Sequence, residues 1–374
     1  MRPTLKHPTQ ILALAVVLLI LSFVTPRPET PLATARPRAH SAFDEKVRVG
    51  VLGLFHSRQF ELSATAGQAL VLQVGSQSLV LEKSSGVESV TIQLFDAQVV
   101  VTTGRRTLEA SSISVAGRAN EPVDFILAIP AKIRRHYHGT MQVEPSGSTL
   151  LAILTLDLEA AVASVVAAES TRGAPVEALK AQAIVTRSYF VSGRGRHADF
   201  DFCDTTHCQF LRDPPAPEST VAGAVEATRG SILEYDLHPF PAMYTRSCSG
   251  RTRTPADLGL PAGAYPYYSV PCEYCRRHPA HWTARISAHD AETLHSSDES
   301  SRLNIDRRLG WNTVPSNDFS ATKDGDQIVV EGTGRGHGMG LCQSGAKAMA
   351  EQGASFRDIL SHYYPNTTVV PWRK

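Results

Sequence analysis

From Val47 to about Pro130, short apolar runs alternate with polar breaks. Val47 to Leu54, Leu70 to Val74 and Val90 to Leu94 alternate or run apolar between clusters of Gly and Ser, a pattern that predicts strands. Tyr137 to Val143 and Leu150 to Leu156 predict two more. The period changes near Asp157. Leu158 to Glu169 is rich in Ala and Val, with acidic residues at its ends. Pro175 to Val191 predicts a strong helix. Pro175 suits its first position, Glu177 its positive N-terminal end, and Val176, Leu179, Ala183 and Ile184 form an apolar face. Lys180, Gln182 and Arg187 then fall on a solvated face. Residues 193–217 read as a loop, and Ser219 to Thr228 as a short helix ended by Gly230. Strands are predicted at 231–235, 241–248 and 282–287, and a helix from Leu341 to Gln352 closed by Gly353. A capping box, Ser355-Phe-Arg-Asp358, opens the last helix. Strands first and mixed elements afterwards predict an α+β fold, with a β-rich N-terminal region followed by a mixed helix/strand domain.

The first residues follow another pattern. Arg2 and Lys6 flank a nearly all-apolar run from Ile11 to Val24, and Pro26, Pro28, Pro31 and Pro37 come after it. Residues 1–35 therefore read as a signal peptide or signal-anchor, and 36–45 as a polar linker. The expected location is outside the cytoplasm, in the periplasm or cell envelope, with membrane contact only through such an anchor. Cysteines there are paired or bound to metal.

Composition narrows the classes. The chain has 374 residues, of which 42% are hydrophobic, which excludes a largely disordered protein. One apolar run approaches membrane length, which excludes a polytopic membrane protein. Lys and Arg number 37 against 36 Asp and Glu, so there is no basic excess for nucleic acid, and none is expected as a partner.

The densest chemistry is His197-x5-Cys203-x3-His207-Cys208. Two thiolates and two imidazoles make a neutral tetrahedral zinc site with no open position, which would be structural. A Cys203–Cys208 disulfide with two incidental histidines fits the same spacing. A second cluster, Cys272-x2-Cys275-x2-His278-x2-His281, reads as a zinc knuckle or as a local Cys272–Cys275 disulfide. Cys248 and Cys342 either pair or are small buried residues. Glu169, beside Val165 and Val166, reads either as a surface glutamate or as a desolvated general acid. Gly334-Arg-Gly-His-Gly-Met-Gly340 is a glycine-rich turn, suited to an anion or a sugar oxygen or serving only as a tight turn.

Several blocks, taken in order, resemble the family of stage II sporulation protein D and the LytB amidase enhancer. They are Val165-Val-Ala-Ala-Glu169, Glu177-Ala-Leu-Lys-Ala-Gln-Ala-Ile-Val-Thr-Arg-Ser-Tyr189, Cys203-Asp-Thr-Thr-His-Cys-Gln209, Ser247-Cys-Ser-Gly250, Gly336-His-Gly-Met-Gly-Leu-Cys-Gln-Ser-Gly-Ala346 and Ile359-Leu-Ser-His-Tyr-Tyr-Pro365. The resemblance assigns 131–370 to a domain of this kind and leaves 46–130 as the β-rich lead-in. It implies an exported lytic transglycosylase that cuts the bond between N-acetylmuramic acid and N-acetylglucosamine in peptide-free peptidoglycan glycan strands, leaving 1,6-anhydro ends. The alternative is a glycan-binding enhancer of a cell-wall amidase that does not cut. Glu169 matches the family's catalytic glutamate, with Glu177 second. Gln182, Arg187, Tyr189, Ser249, His337 and Gln343 become candidates for binding substrate. His197, Cys203, His207 and Cys208 match residues that hold zinc in some members.

Overall fold

The computed structural model describes residues 46–104 and 106–372. The signal segment and linker read from the sequence lie outside the described residues. Among the described residues, no helix is long and apolar enough to cross a membrane.

The chain is α+β, with a β-rich first part and a mixed second part. The lead-in strands belong to one twelve-stranded sheet. Its pivot is the long strand Ile133–Ser146. Residues 133–139 of this strand pair with Val123–Ile129. Residues 140–146 pair with Thr149–Asp157, and 141–143 also with Ile113–Ala116. The switch falls at Gly139, where φ is +150° and a Cβ would lie 2.5 Å from the Thr155 carbonyl oxygen. A side chain there would collide with the neighbouring strand, so the bend requires glycine. Residue 130, the expected end of the lead-in, lies between two strands that pair with each other. Inward residues of the sheet, including Val49, Phe60, Leu62, Ile92, Phe125 and Leu154, build one apolar core.

Lys46–Val51 carries the chain from sheet to site. It runs antiparallel to Thr149–Asp157 and parallel to the short strand Phe202–Cys203. The strand Thr149–Asp157 leads directly into helix α1, Leu158–Glu169, whose N-cap Asp157 accepts from the backbone N–H groups of Glu159 and Ala160. Helix α2, Val176–Ser192, follows. Every residue of α2 from Ala178 to Phe190 except Lys180 is buried. The solvated face expected for Gln182 and Arg187 is absent, while Val176 of the expected apolar face is exposed. The reason is position. Leu179, Ala183 and Phe190 pack into the sheet's core, and Ala181, Ile184 and Val185 into a second core on the opposite side. A helix between two cores is covered all round.

The second core gathers around Phe240, Tyr265, Tyr267, Tyr363 and Tyr364. Helix α3, Thr220–Ala227, packs on α1 and α2. A short helix α4, Glu273–Arg277, precedes a small three-stranded antiparallel sheet of His281–Ser287, Gln327–Thr333 and Asp318–Asp324. That sheet, with helices α5 (Ala288–Glu292) and α6 (Glu299–Leu309), has a third core built on Trp282, Ile286, Ile305 and Val330. Helices α7 (Gln343–Glu351) and α8 (Phe356–Tyr363) end the helical part, and α8 carries the expected capping box. The strand predicted at 241–248 is only Tyr244–Thr245, which pairs in parallel with Leu341–Cys342. Beyond it Ser247 bonds to Arg335 of the glycine turn instead of continuing a sheet.

Candidate active site and metal loop

A cleft of 480 Å³ opens where α1 ends, between the glycine turn, the His197–Cys208 loop and the α6 region. That volume lies in the range of small-ligand sites, about 300–1,000 Å³. Glu169 closes α1 and lines this cleft. Its Oε1 accepts the backbone N–H of Phe210 at 2.6 Å. Oε2 is left as the oxygen without a backbone donor. Burial raises the Glu169 pKa above the ordinary carboxylate value, against the opposite pull of the Phe210 N–H, the neighbouring Tyr244 and the Arg212 and Arg246 guanidiniums. Two hydrogen bonds hold the residue's own carbonyl oxygen, from Arg246 Nη1 at 3.2 Å and from Gln343 Nε2 at 3.0 Å.

Two other acidic residues line the cleft, Glu299 and Asp306. Arg302 engages both of them. Its Nε and Nη2 take the Glu299 carboxylate, and its Nη1 lies 3.1 Å from Asp306 Oδ2. Burial raises the Asp306 pKa as well, yet its other oxygen accepts the Val314 N–H at 3.0 Å. Among the described acids of the cleft, Glu169 is therefore the carboxyl with an oxygen free to exchange a proton. Two buried polar atoms of cleft residues, the Tyr244 hydroxyl and Gln209 Oε1, make no well-aligned hydrogen bond. Such atoms are satisfied by a ligand rich in hydroxyl groups or by water.

The glycine turn forms one wall. Gly334, Gly336, Gly338 and Gly340 all have positive φ. At Gly340, with φ of +66°, a Cβ would lie 2.0 Å from the Met243 carbonyl oxygen, so no other residue fits. His337 Nδ1 accepts the Met339 N–H at 3.0 Å. Burial holds the His337 pKa below its ordinary value. The ring is neutral at pH 7, and its proton is assigned to Nε2 from that hydrogen bond.

The sequence-derived site residues separate into two groups. Tyr189, His337 and Gln343 line the cleft with Glu169. Gln182 lies behind them, with its Oε1 accepting from Gln343 Nε2 at 3.4 Å. Ser249 donates to the Thr333 carbonyl at 2.9 Å and holds the far side of the glycine turn. Arg187 is fully buried and grips Glu159 with two hydrogen bonds, at 2.8 and 2.6 Å. It faces the interior. Glu177 pairs with Lys180 at 2.7 Å and accepts the Phe356 N–H, away from the cleft. The sequence reading missed Tyr244, Arg246, Arg302 and Trp311. Trp311 lines the cleft just after α6 and is 45% exposed.

Beside Glu169, the ligand atoms of His197, Cys203, His207 and Cys208 all lie within 4.8 Å of one another. His197 Nε2 is 3.4 Å from Cys208 Sγ. His207 Nδ1 is 3.7 Å from Cys203 Sγ and 3.5 Å from Cys208 Sγ. A metal bonded at about 2.3 Å to sulfur and 2.0–2.1 Å to nitrogen sets such pairs about 3.6 Å apart. The residues therefore fit a tetrahedral divalent ion. Thr205 Oγ1 lies 3.1 Å from Cys203 Sγ. Asp204 turns away to Leu52 N and Arg135, anchoring the loop to the sheet. Contact with Cys208 draws the Cys203 thiol down to about 4 and pushes Cys208 up, so one thiolate forms readily.

The second cluster read from the sequence needs correcting. Cys272 and Cys275 lie in the interior, but His278 and His281 are exposed. The His278 ring stacks on Tyr274. The sulfurs that meet Cys272 and Cys275 are those of Cys248 and Cys342. The three-residue His spacing leads out of the short helix to the surface.

Fold and site together define an α+β protein whose cleft holds Glu169 beside a Cys/His loop. The family model described as stage II sporulation protein matches residues 146–235. A stage II sporulation protein D of Bacillus amyloliquefaciens is 26% identical over 264 residues, which cover 58% of this chain and 75% of that protein. An uncharacterized protein of Brachyspira hyodysenteriae is 28% identical over 272 residues, 64% of this chain and 73% of its own. An amidase enhancer of Bacillus subtilis is 41% identical over 64 residues, 17% of this chain and 9% of its own. Residues 146–235 thus match the stage II sporulation protein family, and the relatives of this chain include stage II sporulation protein D and an amidase enhancer.

Proposed function

We propose that this chain is an exported lytic transglycosylase acting on peptide-free peptidoglycan glycan. The observation that carries the reading is the one free, desolvated carboxyl in the cleft, while its acidic neighbours are held by Arg302. Glycosidases that use water need two working carboxyl groups. One suffices when the nucleophile is a hydroxyl of the substrate itself. Protonated Glu169 donates to the glycosidic oxygen of the muramoyl–glucosaminyl bond, and the C1–O bond breaks. The resulting carboxylate then takes the proton of the muramoyl C6 hydroxyl, whose oxygen closes on C1. The acid is restored, no water is consumed, and a 1,6-anhydro end results.

The other residues bind and orient. The Tyr244 hydroxyl offers a hydrogen bond to a sugar oxygen, and the neutral His337 ring, whose N–H is directed at the Tyr244 carbonyl, forms the wall beside it. Arg246 and Arg335 are exposed at the cleft and suit the lactyl carboxylates that peptide removal uncovers. Trp311 offers a flat face to a sugar ring. His197, Cys203, His207 and Cys208 would hold zinc with all four positions filled. There it would pin the loop that brings Phe210 N–H to Glu169, with no part in proton transfer.

The test is incubation of the purified chain with peptide-free glycan, followed by mass spectrometry of the products. Anhydromuramic ends are expected, and their absence would remove the enzymatic reading. Binding to glycan without such ends, together with stimulation of a cell-wall amidase, would instead favour an enhancer. That second reading is favoured by the local 41% identity to an amidase enhancer.

Two predictions follow from the site. Because Glu169 must be protonated and its pKa is raised, the rate is expected to fall as pH rises through that raised value. A rate that climbs with pH over this window would contradict the acid role. Trp311→Ala is expected to weaken glycan binding about tenfold, on the order of 1.4 kcal/mol, with the circular dichroism spectrum unchanged. Equal affinity by calorimetry would take Trp311 out of the binding surface.

A further inference from the structure

The four cysteines outside the His197 loop meet at one point. Cys248, Cys272, Cys275 and Cys342 are each at most 2% exposed. Their sulfurs all lie within 4.8 Å of one another, with Cys275 Sγ 3.5 Å from Cys342 Sγ. Two disulfides would draw the sulfurs into pairs about 2.0 Å apart. A single ion bonded to four thiolates at about 2.3 Å sets them about 3.8 Å apart on every edge. An iron–sulfur cluster places several irons between its ligands and needs a wider frame. The surroundings also suit thiolates. Cys248 N–H donates to Cys342 Sγ at 3.3 Å, Ser247 Oγ lies 3.4 Å from Cys275 Sγ, and the Tyr363 hydroxyl 3.4 Å from Cys272 Sγ. Gly345 leaves the room this requires. A Cβ there would lie 2.6 Å from Cys272 Sγ and 2.0 Å from the Tyr363 hydroxyl.

We propose that Cys248, Cys272, Cys275 and Cys342 bind one zinc ion as a closed four-sulfur structural centre. What its ligands carry indicates its task. Arg246 precedes Cys248 by two residues and Gln343 follows Cys342, and both donate to the Glu169 carbonyl oxygen. Ser247, beside Cys248, pairs through its backbone with Arg335 of the glycine turn. The segments that carry these groups are joined by the short pairing of Tyr244–Thr245 with Leu341–Cys342 and, just beyond it, by Ser344, which donates to the Arg246 carbonyl oxygen. An ion bonded to Cys248 and Cys342 at once fixes these flanks of the cleft to each other, and Cys272 and Cys275 tie them to the start of α4. The centre does not depend on whether the cleft cuts glycan.

The test counts metal. The full chain, purified without chelator or reductant, is expected to hold two zinc ions by elemental mass spectrometry. Cys275→Ser and Cys208→Ser, each folded by circular dichroism, are each expected to hold one. Cobalt loaded into Cys208→Ser is expected to show the intense thiolate-to-cobalt absorption of a four-sulfur site. If the His197 loop binds nothing, the wild type falls to one zinc and only Cys275→Ser loses it, which still supports the four-sulfur centre. Zinc content unchanged in Cys275→Ser overturns the proposal, as does iron in place of zinc. So does a Cys248–Cys342 or Cys272–Cys275 disulfide, mapped by alkylation in the native wild-type chain, a measurement that needs no variant to fold.

Discussion

Glu169→Gln is expected to lower the formation of anhydromuramic ends by at least about 10²–10⁴-fold, the usual worth of a positioned general acid. The amide is nearly isosteric and still accepts the Phe210 N–H. It has no acidic proton to give and cannot take one back. Stability should move the other way. The folded-state pKa of Glu169 lies above its unfolded value. Below the unfolded pKa both states are protonated and burial of the carboxyl carries no ionisation penalty. As pH rises through the raised folded value, the unfolded state releases its proton more readily and the wild type loses stability. The variant lacks this loss, so it should be more stable than the wild type at neutral pH, and the difference should close in acid. Denaturant midpoints at two pH values together with the product assay check both halves. A variant that retains its rate would remove Glu169 from the acid role. One equally stable at both pH values would show that the carboxyl is not desolvated.

Arg187→Ala is expected to destabilise the fold by about 3–5 kcal/mol, because it leaves the Glu159 carboxylate buried without its cation. Arg187 Nη1 also donates to the Ser231 carbonyl at 2.9 Å, and Glu159 Oε1 accepts the Gly230 N–H at 3.1 Å. The pair thus joins α1 and α2 to the turn and strand that follow α3. Arg187→Met combined with Glu159→Leu should recover most of the loss, since it removes both charges at similar volume. Urea unfolding of the single and double variants decides it. A single variant as stable as the wild type would show that the pair contributes little. A folded Arg187→Ala that binds glycan normally would agree with an interior role, whereas selective loss of binding would return Arg187 to the cleft.

Local order was legible where neighbouring residues carry it. The alternation before Pro130 announced the strands, and Ser355 with Asp358 announced the start of α8. His197, Cys203, His207 and Cys208 could be grouped because all four fall in one loop. The short distance between Glu169 and α2 likewise put the acid in a recognisable block. Helix α2 shows where such reading stops. Its spacing is that of a surface helix, yet Gln182 is buried against Gln343 of α7 and Arg187 against Glu159 of α1. Periodicity reports that a helix has an apolar face. It does not report what covers the other one.

By itself the sequence determined the α+β class, the β-rich lead-in before the mixed part, the place of Glu169 at a helix end and the grouping of His197, Cys203, His207 and Cys208 in one loop. Each of these depends on residues close together in the chain, where propensity and spacing act directly. Only the tertiary structure decided that Arg302 occupies the rival carboxyls, that Trp311 reaches the cleft, and that Cys248 and Cys342 rather than His278 and His281 join Cys272 and Cys275. Arg302 stands three and four residues from Glu299 and Asp306 on α6, but that this trio faces the cleft with Glu169, and that the four cysteines meet, depends on packing between segments tens of residues apart, which no local pattern encodes.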